Sequence, residues 1–135
     1  MPGKILLVDD DPDILDALSM ILESRGYQVV TARDGIDGLT CLKAERPDLM
    51  ILDLLMPKMD GFAVCKELQD PRWAKFSNMP ILVLSSVRED ACRRRYELET
   101  SLEMDVDDYI EKPVSPEALL KRVEKLITKK QKTKS

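Results

Sequence analysis

Apolar positions in this chain fall into short unbroken runs that alternate with stretches of helical spacing. Residues 4–8 (KILLV) are almost wholly apolar, the pattern of a strand buried on both faces. Ile14, Leu15, Leu18, Ile21 and Leu22 then recur at helical spacing, and Arg25-Gly26 puts a glycine where that helix should close. Residues 27–32 (YQVVTA) predict a second strand, and 35–45 a helix with Ile36, Leu39 and Leu42 on its inner face. Arg46-Pro47-Asp48 breaks the chain before LMILDLL (49–55), the strongest strand signal in the sequence. A turn-rich loop, Met56 to Gly61, precedes a helix over 62–69. A long connection from Asp70 to Met79 leads to a fourth strand, ILVLSS (81–86). Arg88 to Met104 predicts a long charged helix, 108–111 a short fifth strand, and Pro116 to about Thr128 a last helix.

Strict alternation of apolar strands and helices predicts an α/β class, (βα)5 fold: a doubly wound, five-stranded parallel sheet with helices on both faces. Ligands in such sheets sit at the carboxyl ends of the strands, beside the switch in strand order. Residues 1–128 are expected to form one domain, and 129–135 a basic, disordered tail or the start of a linker.

Composition narrows the picture. A length of 135 residues suits a single core, and 44% hydrophobic with 34% charged residues reads as soluble and globular. No apolar run approaches the ~20 residues that span a bilayer. Met-Pro-Gly-Lys shows no cleavage pattern, so no signal peptide is expected. Cys41, Cys65 and Cys92 are odd in number and widely spaced, which suggests free thiols in a reducing, cytoplasmic setting. Histidine is absent, which removes Ser-His and Cys-His catalysis and any histidine phosphoryl carrier within the chain. The net charge is −4, yet four lysines fall in the last seven residues, leaving −8 on the rest. An acidic body argues against direct nucleic-acid binding by this domain.

Candidate chemistry lies where strands end. Strand one ends in Asp9-Asp10-Asp11, strand three at Asp53, strand four at Ser85-Ser86, and strand five leads into Lys112-Pro113. The fold therefore brings carboxylates, a hydroxyl and an ammonium to one cleft. Like charges ~4 Å apart repel by roughly 4 kcal/mol at an effective dielectric near 20, so the cluster calls for a cation, a donor or a helix end. Carboxylates are hard ligands suited to Mg²⁺, and a lysine beside them could neutralise a phosphoryl group carried on a carboxylate. Asp11 directly precedes Pro12, a residue favoured at the first helical position, and is expected to be the helix cap rather than a metal ligand. No glycine-rich phosphate loop follows the first strand.

VDDDP, ILDLLMPKMDG, PILVLSS and DDYIEKP, in this order, resemble the receiver domain of two-component response regulators, chemotaxis-regulator-like, over about residues 3–128. The resemblance implies a flavodoxin-like fold and a function in signalling: Asp53 is the phosphoacceptor, and Asp9 and Asp10 hold Mg²⁺ together with Asp53 and the backbone carbonyl of Leu55. It implies that Lys112 pairs with the phosphoryl group through a cis bond to Pro113, that Ser85 is the switch hydroxyl, and that Tyr109 is the aromatic reporting its closure. The donor would be a histidine kinase or histidine phosphotransfer protein. The output would be a downstream protein or an output domain, reached through the fourth helix, fifth strand and last helix, a face that also suits a homodimer. No membrane partner is expected. The chain would be no enzyme beyond catalysing its own phosphorylation and dephosphorylation.

Met56, Pro57, Met59, Asp60 and Gly61 are expected to shape the loop without chemistry. The sequence departs from the family at Asp105-Val106, where Gly-Ala is usual, and the segment between Ser85 and Lys112, with Arg93-Arg94-Arg95 inside it, is longer than in compact members. Leu55 and Val87, apolar where many relatives carry water-orienting polar groups, imply a persistent phosphorylated state. A phosphatase of small esters would want a second carboxylate two residues after the nucleophile, where Leu55 stands. A receiver used only as a constitutive docking module would not need the full set of Asp9, Asp10, Asp53, Ser85 and Lys112.

Overall fold

A computed structural model of the chain describes residues 3–54, 56, 58–85 and 106–134, with backbone alone for 129–134. In chain order the elements are β1 (Lys4–Val8), α1 (Pro12–Glu23), β2 (Gln28–Ala32), α2 (Gly35–Glu45), β3 (Leu49–Asp53) and α3 (Gly61–Leu68). A 3-10 helix (Pro71–Phe76), β4 (Ile81–Ser85), β5 (Asp108–Glu111) and a C-terminal helix (Pro116–Lys134) follow. The five strands form one parallel sheet in the order β2-β1-β3-β4-β5, so the winding reverses at β1. The expected doubly wound sheet is therefore present.

Alternation along the strands divides the core in two. Ile5, Leu7, Leu49, Ile51, Leu82 and Leu84 point to the face covered by α1 and the C-terminal helix, through Leu15, Leu18, Leu22, Leu119, Val123 and Leu126. Leu6, Val8, Met50, Leu52 and Val83 point to the other face, covered by Leu42 of α2, Phe62, Val64 and Cys65 of α3, and Trp73. Both faces of β1, β3 and β4 are thus buried, which is why these strands read as unbroken apolar runs.

The ends of the elements follow local chemistry. At the close of α1, Gly26 N–H donates to Glu23 O (2.9 Å) and Tyr27 N–H to Leu22 O (3.3 Å), with Gly26 at φ 85. That is the paired-bond helix stop for which a glycine in the left-handed region is suited. β3 ends at Asp53, before the expected Leu55, and Leu55 lies outside the described residues.

Three further differences from the sequence reading have physical causes. Ile36 is exposed at 55%, not inward, because α2 turns Gly35, Gly38 and Leu42 to the sheet. A Cβ on Gly38 would stand 3.2 Å from Val8, so this helix packs backbone-close and its glycines take the inner positions. Residues 71–76 form a 3-10 helix inside the long connection, started by Asp70, whose side chain accepts from Arg72 N–H (2.9 Å). The C-terminal helix continues through 129–134, the stretch expected to be a disordered tail or the start of a linker. No Gly or Pro stops it there, lysine and glutamine are good helix formers, and the lysines also suit the negative end of the helix dipole. The helix expected over 88–104 and the positions Ser86, Val87 and Asp105 lie outside the described residues. No helix among the described residues is long and apolar enough to cross a membrane.

Candidate functional site

Among the described residues the buried polar or charged side chains are Asp9, Asp53 and Ser85, all at carboxyl ends of strands. Strand register places them. Val8 pairs with Leu52, so Asp9 follows beside Asp53; Asp53 pairs with Leu84, so Ser85 stands one residue beyond; Ser85 pairs with Glu111, so Lys112 comes next. Lys112 N–H also bonds Ser85 O, and the Lys112–Pro113 bond is cis.

Lys112 reaches back over this edge. Its Nζ lies 3.2 Å from Asp53 Oδ1 and 3.4 Å from Asp9 Oδ2. Asp9, Asp10 and Asp53 each offer a carboxylate oxygen, all within 4.8 Å of one another. Asp10 is exposed at the mouth while its two partners are buried. One carboxylate oxygen of Asp9 accepts Asp11 N–H (2.9 Å); the other, Oδ2, is buried and, among the described residues, has no hydrogen-bond partner beside its ion pair to Lys112. Burial pushes Asp9 up to about 6, reinforced by the charge of Asp53 and opposed by the Asp11 N–H and by Lys112. A buried, underbonded carboxylate beside two others is a donor set that fits a hard cation. The residues can thus hold a metal ion.

The third carboxylate of the cluster in sequence plays another part. Asp11 starts α1: its Oδ1 accepts Asp13 N–H (2.9 Å) with Pro12 in the first turn. Tyr109 is half-buried in β5, opposite Val83 of β4, and packs against the α2–α3 side of the core. Leu55, named for its backbone carbonyl, is outside the described residues.

The loop after β3 is held from both sides. Asp60 caps α3 by accepting Ala63 N–H (2.9 Å), and Gly61 N–H donates to Leu54 O (2.9 Å). A Cβ on Gly61 would lie 2.5 Å from Asp53 O, so glycine is required by close approach. Two residues of this surround escaped the sequence reading, Asp34 and Arg122. Asp34 caps α2 and stands 3.7 Å from Lys58 Nζ. The repeated Asp-Gly at 34–35 and 60–61, each opening a helix, was the available signal. Arg122 bonds Asp108 Oδ1 (2.7 Å) and Tyr109 O (2.9 Å) from the C-terminal helix, a tertiary contact with no motif in the sequence.

Comparison with known proteins agrees with this geometry. The sequence model described as "Response regulator receiver domain" matches residues 5–124. The protein called "Probable transcriptional regulator ycf27" of Cyanophora paradoxa is 43% identical over 124 residues, 92% of this chain and 48% of that protein. The alkaline phosphatase synthesis transcriptional regulatory protein PhoP of Bacillus subtilis is 39% identical over 127 residues, 94% of this chain and 49% of that protein. Among solved structures, the signal receiver domain of a signal transduction histidine kinase from Syntrophus aciditrophicus superposes with a TM-score of 0.77 at 35% identity, covering 93% of this chain and 90% of that one. The chain spans about half the length of the curated relatives it matches. With the sheet order, the acidic edge and these likenesses together, the chain belongs to the response regulator receiver domain family.

Proposed function

We propose that this domain is a phosphorylation switch that accepts a phosphoryl group on Asp53. The observation that carries the reading is the meeting of Asp53, Asp9 and Lys112 at one strand edge, with Lys112 Nζ 3.2 Å from Asp53 Oδ1. Asp9, Asp10 and Asp53, with the carbonyl of Leu55, would hold Mg²⁺, for which the underbonded Asp9 Oδ2 is an apt donor. Bound there, the ion would neutralise phosphoryl charge as a Lewis acid.

The chain's own groups supply the rest. A carboxylate oxygen of Asp53 attacks phosphorus, the bond from phosphorus to the donor nitrogen breaks, and the electron pair leaves with the donor's imidazole. The product is an aspartyl phosphate. The Lys112 ammonium, paired with the carboxylate beforehand, passes to a phosphoryl oxygen as the new bond forms. The Ser85 hydroxyl, one residue along β4, would then accept the role of a second donor to that group, and Tyr109 would follow it inward.

A histidine kinase or histidine phosphotransfer protein serves as donor, and the donor histidine lies outside these 135 residues, which contain none. The readout is a downstream protein or an output domain of a longer protein, through the face that includes β5 and the C-terminal helix, in the cytoplasm. That face would also carry a homodimer. The domain acts as no enzyme on other substrates. Leu55 and Val87 leave attacking water unguided, so the phosphorylated state persists; a half-life of only seconds in purified protein with Mg²⁺ would overturn this.

Acetyl phosphate with Mg²⁺, followed by intact mass, tests the central reading. One phosphoryl group should appear on the wild type and none on Asp53→Ala. No addition to wild type, or equal addition to the variant, would refute it.

A further inference from the structure

The first turn of α2 and the loop after β3 meet backbone to backbone. Gly35 N–H donates to Met59 O at 2.9 Å. A Cβ on Gly35 would run into that oxygen and lie 2.7 Å from Val64 Cγ2 and 2.8 Å from Met59 Cγ, so no other side chain fits unless the loop moves. Beside it, Asp34 caps α2 through Oδ1, accepting Asp37 N–H at 2.8 Å, and turns Oδ2 toward Lys58. Lys58 itself holds φ 65, in the left-handed region that favours glycine. Its backbone is therefore shaped by what the loop rests on, not by its own preference.

The loop passes this constraint to the phosphoacceptor. Two residues beyond Met59, Gly61 bonds Leu54 O and stands so close to Asp53 O that a Cβ would be 2.5 Å away. A path thus runs from the Gly35–Met59 hydrogen bond along the chain to Gly61, and from there by close approach to the backbone of Asp53. None of it uses a side chain that faces the acidic cluster.

We propose that the Asp34-Gly35 start of α2 is a positioning element for the site: by seating the 58–61 loop it sets where the Asp53 carboxylate stands relative to Asp9 and Asp10. The inference rests on the reading of these aspartates as a Mg²⁺ site. Coupling between two sites is reciprocal, so if loop position biases ion binding, ion binding must tighten the Gly35–Met59 bond by the same factor.

Amide hydrogen exchange on the full chain, with MgCl₂ or with chelator, reads that factor. Gly35 N–H should exchange at least about fivefold more slowly with saturating Mg²⁺. Gly38 N–H, which donates to Asp34 O within the same helix, should keep its rate. Equal slowing of both amides, or an unchanged Gly35 in protein that binds Mg²⁺, overturns the proposal. In a second arm, calorimetric titration of Gly35→Ala should give a Mg²⁺ dissociation constant at least about fivefold weaker than wild type. A variant that is less stable but binds Mg²⁺ equally would mean a merely structural glycine, and the proposal fails. If Gly35→Ala does not fold, the exchange result on wild type decides alone. Wild type that takes up no Mg²⁺ would remove the metal-site reading itself, and this inference with it.

Discussion

At the scale of the residue, three adjacent aspartates separate into three environments. Asp9 is buried and underbonded, Asp10 is exposed at the cleft mouth, and Asp11 caps α1. Their fates differ on substitution. Asp11→Ala should cost about 0.5–2 kcal/mol for the lost cap and leave Mg²⁺ affinity unchanged, as urea unfolding and calorimetry would show. Loss of metal binding at unchanged stability would reverse that assignment. For Asp9 the folded-state value of about 6 lies above the usual carboxylate range near 4. The folded protein therefore holds this proton more tightly than the unfolded chain. Its contribution is favourable below pH ~4 and is lost as pH rises through ~6. In chelator at pH 7, Asp9→Asn should be more stable than wild type by up to roughly 3 kcal/mol, with the gap closing toward pH 4. A pH-independent gap in paired urea titrations would contradict it. Asp9, Asp10, Asp53 and Lys112 were legible in the sequence because each ends or follows a strand that reads plainly as buried. Gly35 was not, since what makes it obligatory is the oxygen of Met59, which only the folded chain brings near.

At the scale of the element, the strands were the most legible part, because burial on both faces leaves only apolar residues between the punctuating Gly, Pro and Asp. The helices were less so. α2 carries its inner face on glycines, which hydropathy counts as neutral, so Ile36 was assigned inward against the packing. The 3-10 helix has no helical repeat long enough to see. β5 is short and lies at the sheet edge, and its hold depends on contacts from outside the ladder. Asp107 Oδ2 accepts Ile81 N–H (2.8 Å) at its start, and Arg122 binds Asp108 and the Tyr109 carbonyl from the C-terminal helix. Arg122→Ala should destabilise the domain by about 1–2 kcal/mol, the range for a hydrogen bond involving a charged group at a half-exposed site. Amides of 108–111 should exchange faster than those of β3 in that variant. Uniform acceleration across the sheet would argue against a local tether.

At the scale of the whole molecule, an acidic cluster gathered from separate strands would couple folding to any cation bound there. Mg²⁺ at 100 times its dissociation constant should raise stability by about 2.7 kcal/mol, read as an upward shift in Tm. The shift should vanish in Asp53→Ala; an equal shift there would locate the ion elsewhere. The fold also keeps this chemistry away from the opposite sheet edge, where the 3-10 helix lies between α3 and the beginning of β4. Trp73, the one tryptophan of the chain, is buried there. Its Nε1 donates to Glu67 at 3.0 Å and Lys43 Nζ sits 4.8 Å from the ring centroid. The indole belongs to the segment that leads into the start of β4, whereas the aspartates stand at the carboxyl ends of β1 and β3. If Asp53 takes up a phosphoryl group as proposed, this fluorophore should be blind to the event. Indole emission should follow denaturation with full amplitude yet stay flat through a phosphorylation cycle, so that one optical channel reads integrity while any other label reads the switch.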